Sequence, residues 1–78
     1  MNCIQIFSPL AVANNRGSAD YYIYIKEYKN GRRCFKAFCG IATKPFICYR
    51  TTDLTIQEFW NKHFSCYTEK NGWKIVTY

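Results

Sequence analysis

The single histidine, His63, and the five cysteines, Cys3, Cys34, Cys39, Cys48 and Cys66, are the residues from which nucleophilic or metal chemistry would have to be built. A thiol nucleophile needs a base within reach, and His63 with Cys66 is the nearest such pair in sequence. A histidine on the apolar face of a helix is more often packed than catalytic, and that is where His63 falls. A structural zinc site needs four ligands. No Cys-x-x-Cys occurs here, and the closest pair, Cys34 and Cys39, has an odd offset that points the two thiols to opposite faces of a strand. The carboxylates Asp20, Glu27, Asp53, Glu58 and Glu69 are scattered, so no acid–base pair stands out, and no Gly-rich phosphate loop is present. The pattern therefore asks for no metal and no cofactor. One enzyme class passes this filter: a small metal-free ribonuclease, working with a lone His, here His63, or with Lys, Arg (Arg33 among them) and Tyr as acid and charge stabilisers. No spacing demands it, and the expectation is a protein that is not an enzyme.

The other chemistry available is aromatic and cationic. Seven Tyr, six Phe and two Trp share the chain with eleven Lys or Arg against five Asp or Glu, for a net charge of +6. Each aromatic side chain buries about 150–250 Å², so a few of them stabilise a short chain whose core is thin. The charge favours an anionic partner, either nucleic acid, a ribonucleoprotein or an acidic protein face. The cysteines are odd in number and irregular in spacing. No basic n-region or signal peptide precedes them, and Pro9 interrupts the apolar residues Ile4, Ile6 and Phe7. They read as small buried hydrophobes in a reducing cytoplasm. Nothing approaches the roughly 20 apolar residues of a membrane span, so no membrane partner is expected.

The elements that must position these groups are a sheet and one helix, in a single domain over residues 1–78. Residues 2–8 alternate as a first strand ended by Ser8-Pro9, and residues 10–20 read as a loop. Residues 21–29 carry the strongest β signal, Asn30-Gly31 is a type I′ turn pair, and residues 32–40 return. Residues 41–50 resemble a further strand, with Pro45 confining its first half to an edge or a bend. Thr55 and Glu58 form a capping box, Leu54 and Phe59 stand at staple positions, and Ile56, Phe59, Trp60, His63 and Phe64 make one apolar helical face. A second Asn-Gly pair, Asn71-Gly72, lies between residues 66–70 and 73–78 and would set Glu69 opposite Lys74. The fold class expected is α+β: an antiparallel sheet of four to five strands, with two Asn-Gly hairpins and one α-helix packed on one face.

A two-residue loop at Asn30-Gly31 would pair Lys29 with Arg32, Lys26 with Phe35 and Tyr22 with Cys39. The helix-covered face would then hold Ile23, Ile25, Cys34 and Phe38, with Tyr21, Glu27 and Lys36. The uncovered face would hold Tyr22, Tyr24, Lys26, Tyr28, Arg33 and Phe35, with Ala37 and Cys39. A three-residue bulged loop would shift this register by one. A helix of about ten residues is roughly 15 Å long and covers one side only. Tyr22, Tyr24, Lys26, Tyr28, Lys29, Arg32, Arg33 and Phe35 are thus the candidate binding residues. They would stack on bases, or anchor a protein, or else pack against the 10–20 loop.

In layout, with a hairpin over residues 21–40, a helix over 55–65 and a terminal strand, the chain resembles small phage-encoded anti-CRISPR and other anti-defence inhibitors. That resemblance implies a non-catalytic inhibitor or adaptor that docks on a protein or ribonucleoprotein complex. Many such inhibitors are acidic mimics of DNA, and this chain is basic, which argues against mimicry. The alternative is a direct DNA- or RNA-binding domain, with the basic hairpin 26–36 entering a groove. Oligomeric state stays open, since an exposed strand edge could pair two copies.

Overall fold

The computed structural model describes residues 2–77. Five strands, β1 (Asn2–Phe7), β2 (Tyr21–Glu27), β3 (Arg33–Cys39), β4 (Ile47–Thr52) and β5 (Lys74–Thr77), form one sheet in the order β4-β3-β2-β1-β5. Every neighbouring pair is antiparallel. Two helices accompany them, the short α1 (Pro9–Ala13) and the longer α2 (Ile56–His63), giving the expected α+β class. No helix among the described residues is long and apolar enough to cross a membrane.

α2 lies in the connection from one edge strand, β4, to the other, β5, and packs on the sheet face between them. Its start is fixed locally. Thr55 Oγ1 accepts from the Glu58 amide at 3.1 Å, and Glu58 Oε1 accepts from the Thr55 amide at 3.0 Å. Two otherwise unpaired amides of the first turn are thereby satisfied. These bonds, the backbone one first, hold the Glu58 carboxyl below its usual range. Docking follows from apolar periodicity: Phe59 and Phe64 are buried against Ile4, Ile6, Ile23, Ile25, Phe35 and Ala37. The Phe35 and Phe59 rings stack in parallel at 4.3 Å. At one end of this layer Tyr21 meets Tyr67 at 5.3 Å and Phe64 at 6.2 Å. A hydrogen bond with Tyr67, then burial, pushes the Tyr21 phenol up to about 12.

Four details depart from the sequence reading. The expected loop 10–20 opens with a helix, α1: Ser8 Oγ accepts from the Ala11 amide at 3.2 Å, and Pro9 occupies the first turn. Ser-Pro is a helix-start signal as well as a strand stop, because proline's fixed φ suits the first helical position. Asn71-Gly72 makes no hairpin. Residues 69–71 form a 3-10 turn, Gly72 closes it at φ +90°, and β5 pairs with β1 instead. The strand expected over residues 41–50 starts only at Ile47 and runs on to Thr52, although the Pro45 stretch bends and the strand, β4, lies at the sheet edge as Pro45 implies. All five cysteines are free, but only Cys3 is buried; Cys34 is half-buried, while Cys39, Cys48 and Cys66 are exposed.

Candidate binding face of the sheet

The β2–β3 turn decides which side chains share a face. Glu27 pairs with Arg33, and inside that pair the Tyr28 amide donates to the Arg32 carbonyl at 2.8 Å. The loop is therefore the three residues 29–31, closed by the Gly31 amide on the Tyr28 carbonyl at 3.0 Å. Gly31 sits at φ +86°, the left-handed position that such a bulged loop requires. The β3 register moves by one residue from the two-residue expectation. Ile25 now faces Phe35, and Tyr24 faces Lys36.

Two of the candidate binding residues change face as a result. Phe35 is a core residue with no exposed surface, stacked on Phe59. Arg33 turns to the α2 side, where its Nη1 donates to the Leu54 carbonyl at 3.3 Å and its Nε stands 3.7 Å from Glu27. Ala37 and Cys39 move with them, whereas Cys34, Lys36 and Phe38 move to the open face. Tyr22, Tyr24, Lys26 and Tyr28 remain where the sequence put them. Lys29 and Arg32 lie exposed in the turn, with Arg32 Nε 3.3 Å from Asp53.

The open face reads as cross-strand rows. Val76, Gln5, Tyr22 and Phe38 form one, and Cys3, Tyr24, Lys36 and Cys48 the next. Lys26 and Cys34 follow, with Arg50 on β4 beyond them. One end of the face is covered: Phe7, Ala11 and Ala19 form a second apolar cluster with Tyr22 and Val76. The Tyr22 hydroxyl accepts from the Ala19 amide at 3.2 Å, so this tyrosine packs on the 10–20 segment. Asp20 pins that cover by accepting from the Ser8 amide at 2.7 Å and from Arg16 at 3.1 Å. The Ser8 amide, foremost, holds the Asp20 carboxyl below its usual range.

Beyond the cover the rings are open. Tyr24 keeps 40% of its surface exposed while Phe38 packs edge-on against it at 5.5 Å. Tyr28 is also exposed; its hydroxyl reaches the Arg50 carbonyl at 3.4 Å, and Lys26 Nζ stands 5.5 Å over its ring. No Asp or Glu stands in these rows. Among the described residues, the ion pairs engage Arg16, Arg32 and Arg33, and none engages Lys26, Lys36 or Arg50. The face thus presents uncompensated cations around exposed rings.

Of the residues named for ribonuclease chemistry, His63 meets a tyrosine and stands apart from Arg33. His63 Nε2 is 2.8 Å from the Tyr49 hydroxyl, and its ring packs on Phe59 at 5.1 Å. Arg33 sits beside Leu54 at the other end of α2, an eight-residue helix roughly 12 Å long. Among the described residues no three His, Cys, Asp or Glu side chains gather where they could hold a metal ion. Lys36, Phe38 and Arg50 are the face residues the sequence reading left out. A lysine assigned to the core face opposite Ile25 was the signal against the two-residue loop. Comparison with known proteins finds no matching family model, no matching curated protein and no matching solved structure.

Proposed function

We propose that this chain is a non-catalytic binding protein, an inhibitor or adaptor that docks its open sheet face onto a larger protein or ribonucleoprotein partner in the cytoplasm. The observation that carries this reading is the carboxylate-free set Lys26, Lys36 and Arg50 around Tyr24, Tyr28 and Phe38. Cations without counter-charges favour an anionic partner, and exposed Tyr and Arg are favoured anchors of interfaces. The resemblance of the sequence's layout to phage anti-defence inhibitors favours the inhibitor form of that role.

An affinity pull-down from the native host tests it, comparing the parent with Tyr24→Ala/Arg50→Ala and with the remote control Lys70→Ala. Loss of one specific partner by the double variant alone is the expected result. A partner list that is the same for all three overturns the assignment of the face.

A further inference from the structure

Granted that the open face is the docking surface, we infer that what it receives is a single-stranded nucleic acid, with bases stacked on Tyr24 and Tyr28 and phosphates held by Lys26, Lys36 and Arg50. Tyr24 and Lys26 stand on the same side of β2, a step of roughly 7 Å apart, and Tyr28 follows just past the strand's end with Lys26 over its ring: ring, cation, ring. Lys36 stands directly across from Tyr24, and Arg50 lies past Cys34 on β4. Rings and cations are interleaved, each ring having a cation as a neighbour.

That alternation discriminates between anionic partners. An acidic protein surface pairs with the cations, but it does not repeat a planar group beside each charge. An unpaired strand offers both groups in every nucleotide, a planar π-face and a phosphate, and stacking of this kind is tolerant of sequence. Duplex nucleic acid hides its base faces in its own stack and is read through the grooves by a helix or a β-ribbon. Here the rings lie on a sheet face, and Phe38 braces Tyr24 edge-on without covering it. The uncompensated cations supply the attraction, and it weakens with salt because phosphate contacts release counterions.

Fluorescence anisotropy tests this directly, with labelled single strands of DNA and of RNA about 12 nucleotides long, and a duplex of the same length. Three phosphate contacts lower single-strand affinity by about 20-fold between about 50 and about 200 mM salt. Tyr24→Leu weakens it by about tenfold, whereas Tyr24→Phe keeps the stacking surface and the affinity. Lys36→Ala/Arg50→Ala flattens the salt dependence. Circular dichroism melts of the variants verify that the sheet is intact. No binding at about 50 mM salt, equal affinity for the duplex, or indifference to Tyr24→Leu in a folded variant each overturns the inference. Failure with oligonucleotides alongside a Tyr24-dependent protein in the pull-down means that the face meets an acidic protein. In that case this inference falls and the binding-protein reading stands. Loss of Tyr24 dependence in both experiments removes both.

Discussion

On the α2 face the Phe35 ring lies flat on Phe59 at 4.3 Å and has no exposed surface. Three residues along the same strand, on the opposite face, Phe38 meets Tyr24 edge-on at 5.5 Å, and Tyr24 keeps 40% of its surface in water. The two faces draw on the same aromatic stock. What separates them is whether each ring's second side has a partner within the chain. Burying a ring on both sides converts its area into stability. A ring left open contributes less to the fold and leaves its π-face for another molecule.

The sharpest way to break this contrast is to truncate one ring on each face. Phe35→Ala should cost about 3–5 kcal/mol in denaturant unfolding, through lost burial and the cavity left behind. Phe38→Ala should cost less, about 1–3 kcal/mol, from the part of the ring that is buried and its edge-to-face pair. Equal losses would mean that both faces are structural.

Gly31 governs which β3 residues are sealed and comes next. An added Cβ there meets nothing within 4 Å, so Gly31→Ala tests conformation alone. At φ +86° the substitution should cost about 1–2 kcal/mol, read as a lowered Tm. No loss would show that the loop tolerates another shape and that the face assignment is less firmly set. Thr55→Ala, which loosens the α2 cover, should cost about 1 kcal/mol by the same measurement.

The cover at the end of the open face can be probed with acid. Asp20 has a depressed folded pKa, so the stability it contributes is complete above the unfolded value of about 3.9 and is lost as pH falls through the folded one. The Tm of the parent should drop more steeply than that of Asp20→Asn as the pH falls below about 4. Parallel curves would mean that the Ser8 contact does not secure α1. Smallest of all, Lys36→Ala should leave unfolding within about 0.5 kcal/mol of the parent. A larger loss would give Lys36 a structural role and weaken the contrast between the faces.

How far these features were legible in the sequence follows from the distance over which each is decided. The Thr55–Glu58 cap was readable because its donors and acceptors lie within four residues. The Asn30-Gly31 turn was readable as a turn, but a loop of two residues and one of three suit the same local chemistry. Only the pairing across the strands chooses between them. A two-residue loop sets Ile25 against Lys36 in the core, and a three-residue loop sets it against Phe35. α1 was missed because Ser8-Pro9 is a strand stop and a helix start at once. The neighbour of β5 is not legible locally, because its partner, β1, lies at the far end of the chain. A trace of that pairing was present all the same. Ile4 and Ile6 are buried on one side of β1, and Cys3 and Phe7 on the other. A strand apolar on both faces belongs inside a sheet, with a neighbour on each flank.

The β1–β5 pairing also bears on how the chain is made. During synthesis β2, β3 and β4 can zip together through adjacent hairpins, and α2 can settle on them as it leaves the ribosome. The outer flank of β1 has no partner until Lys74–Thr77 arrives. Until that pairing forms, β1 presents an unpaired apolar strand edge, the kind of surface on which neighbouring chains aggregate. Pairing of those four residues covers the β1 edge and leaves the shorter β5, with β4 at the other side, as the edges of the sheet.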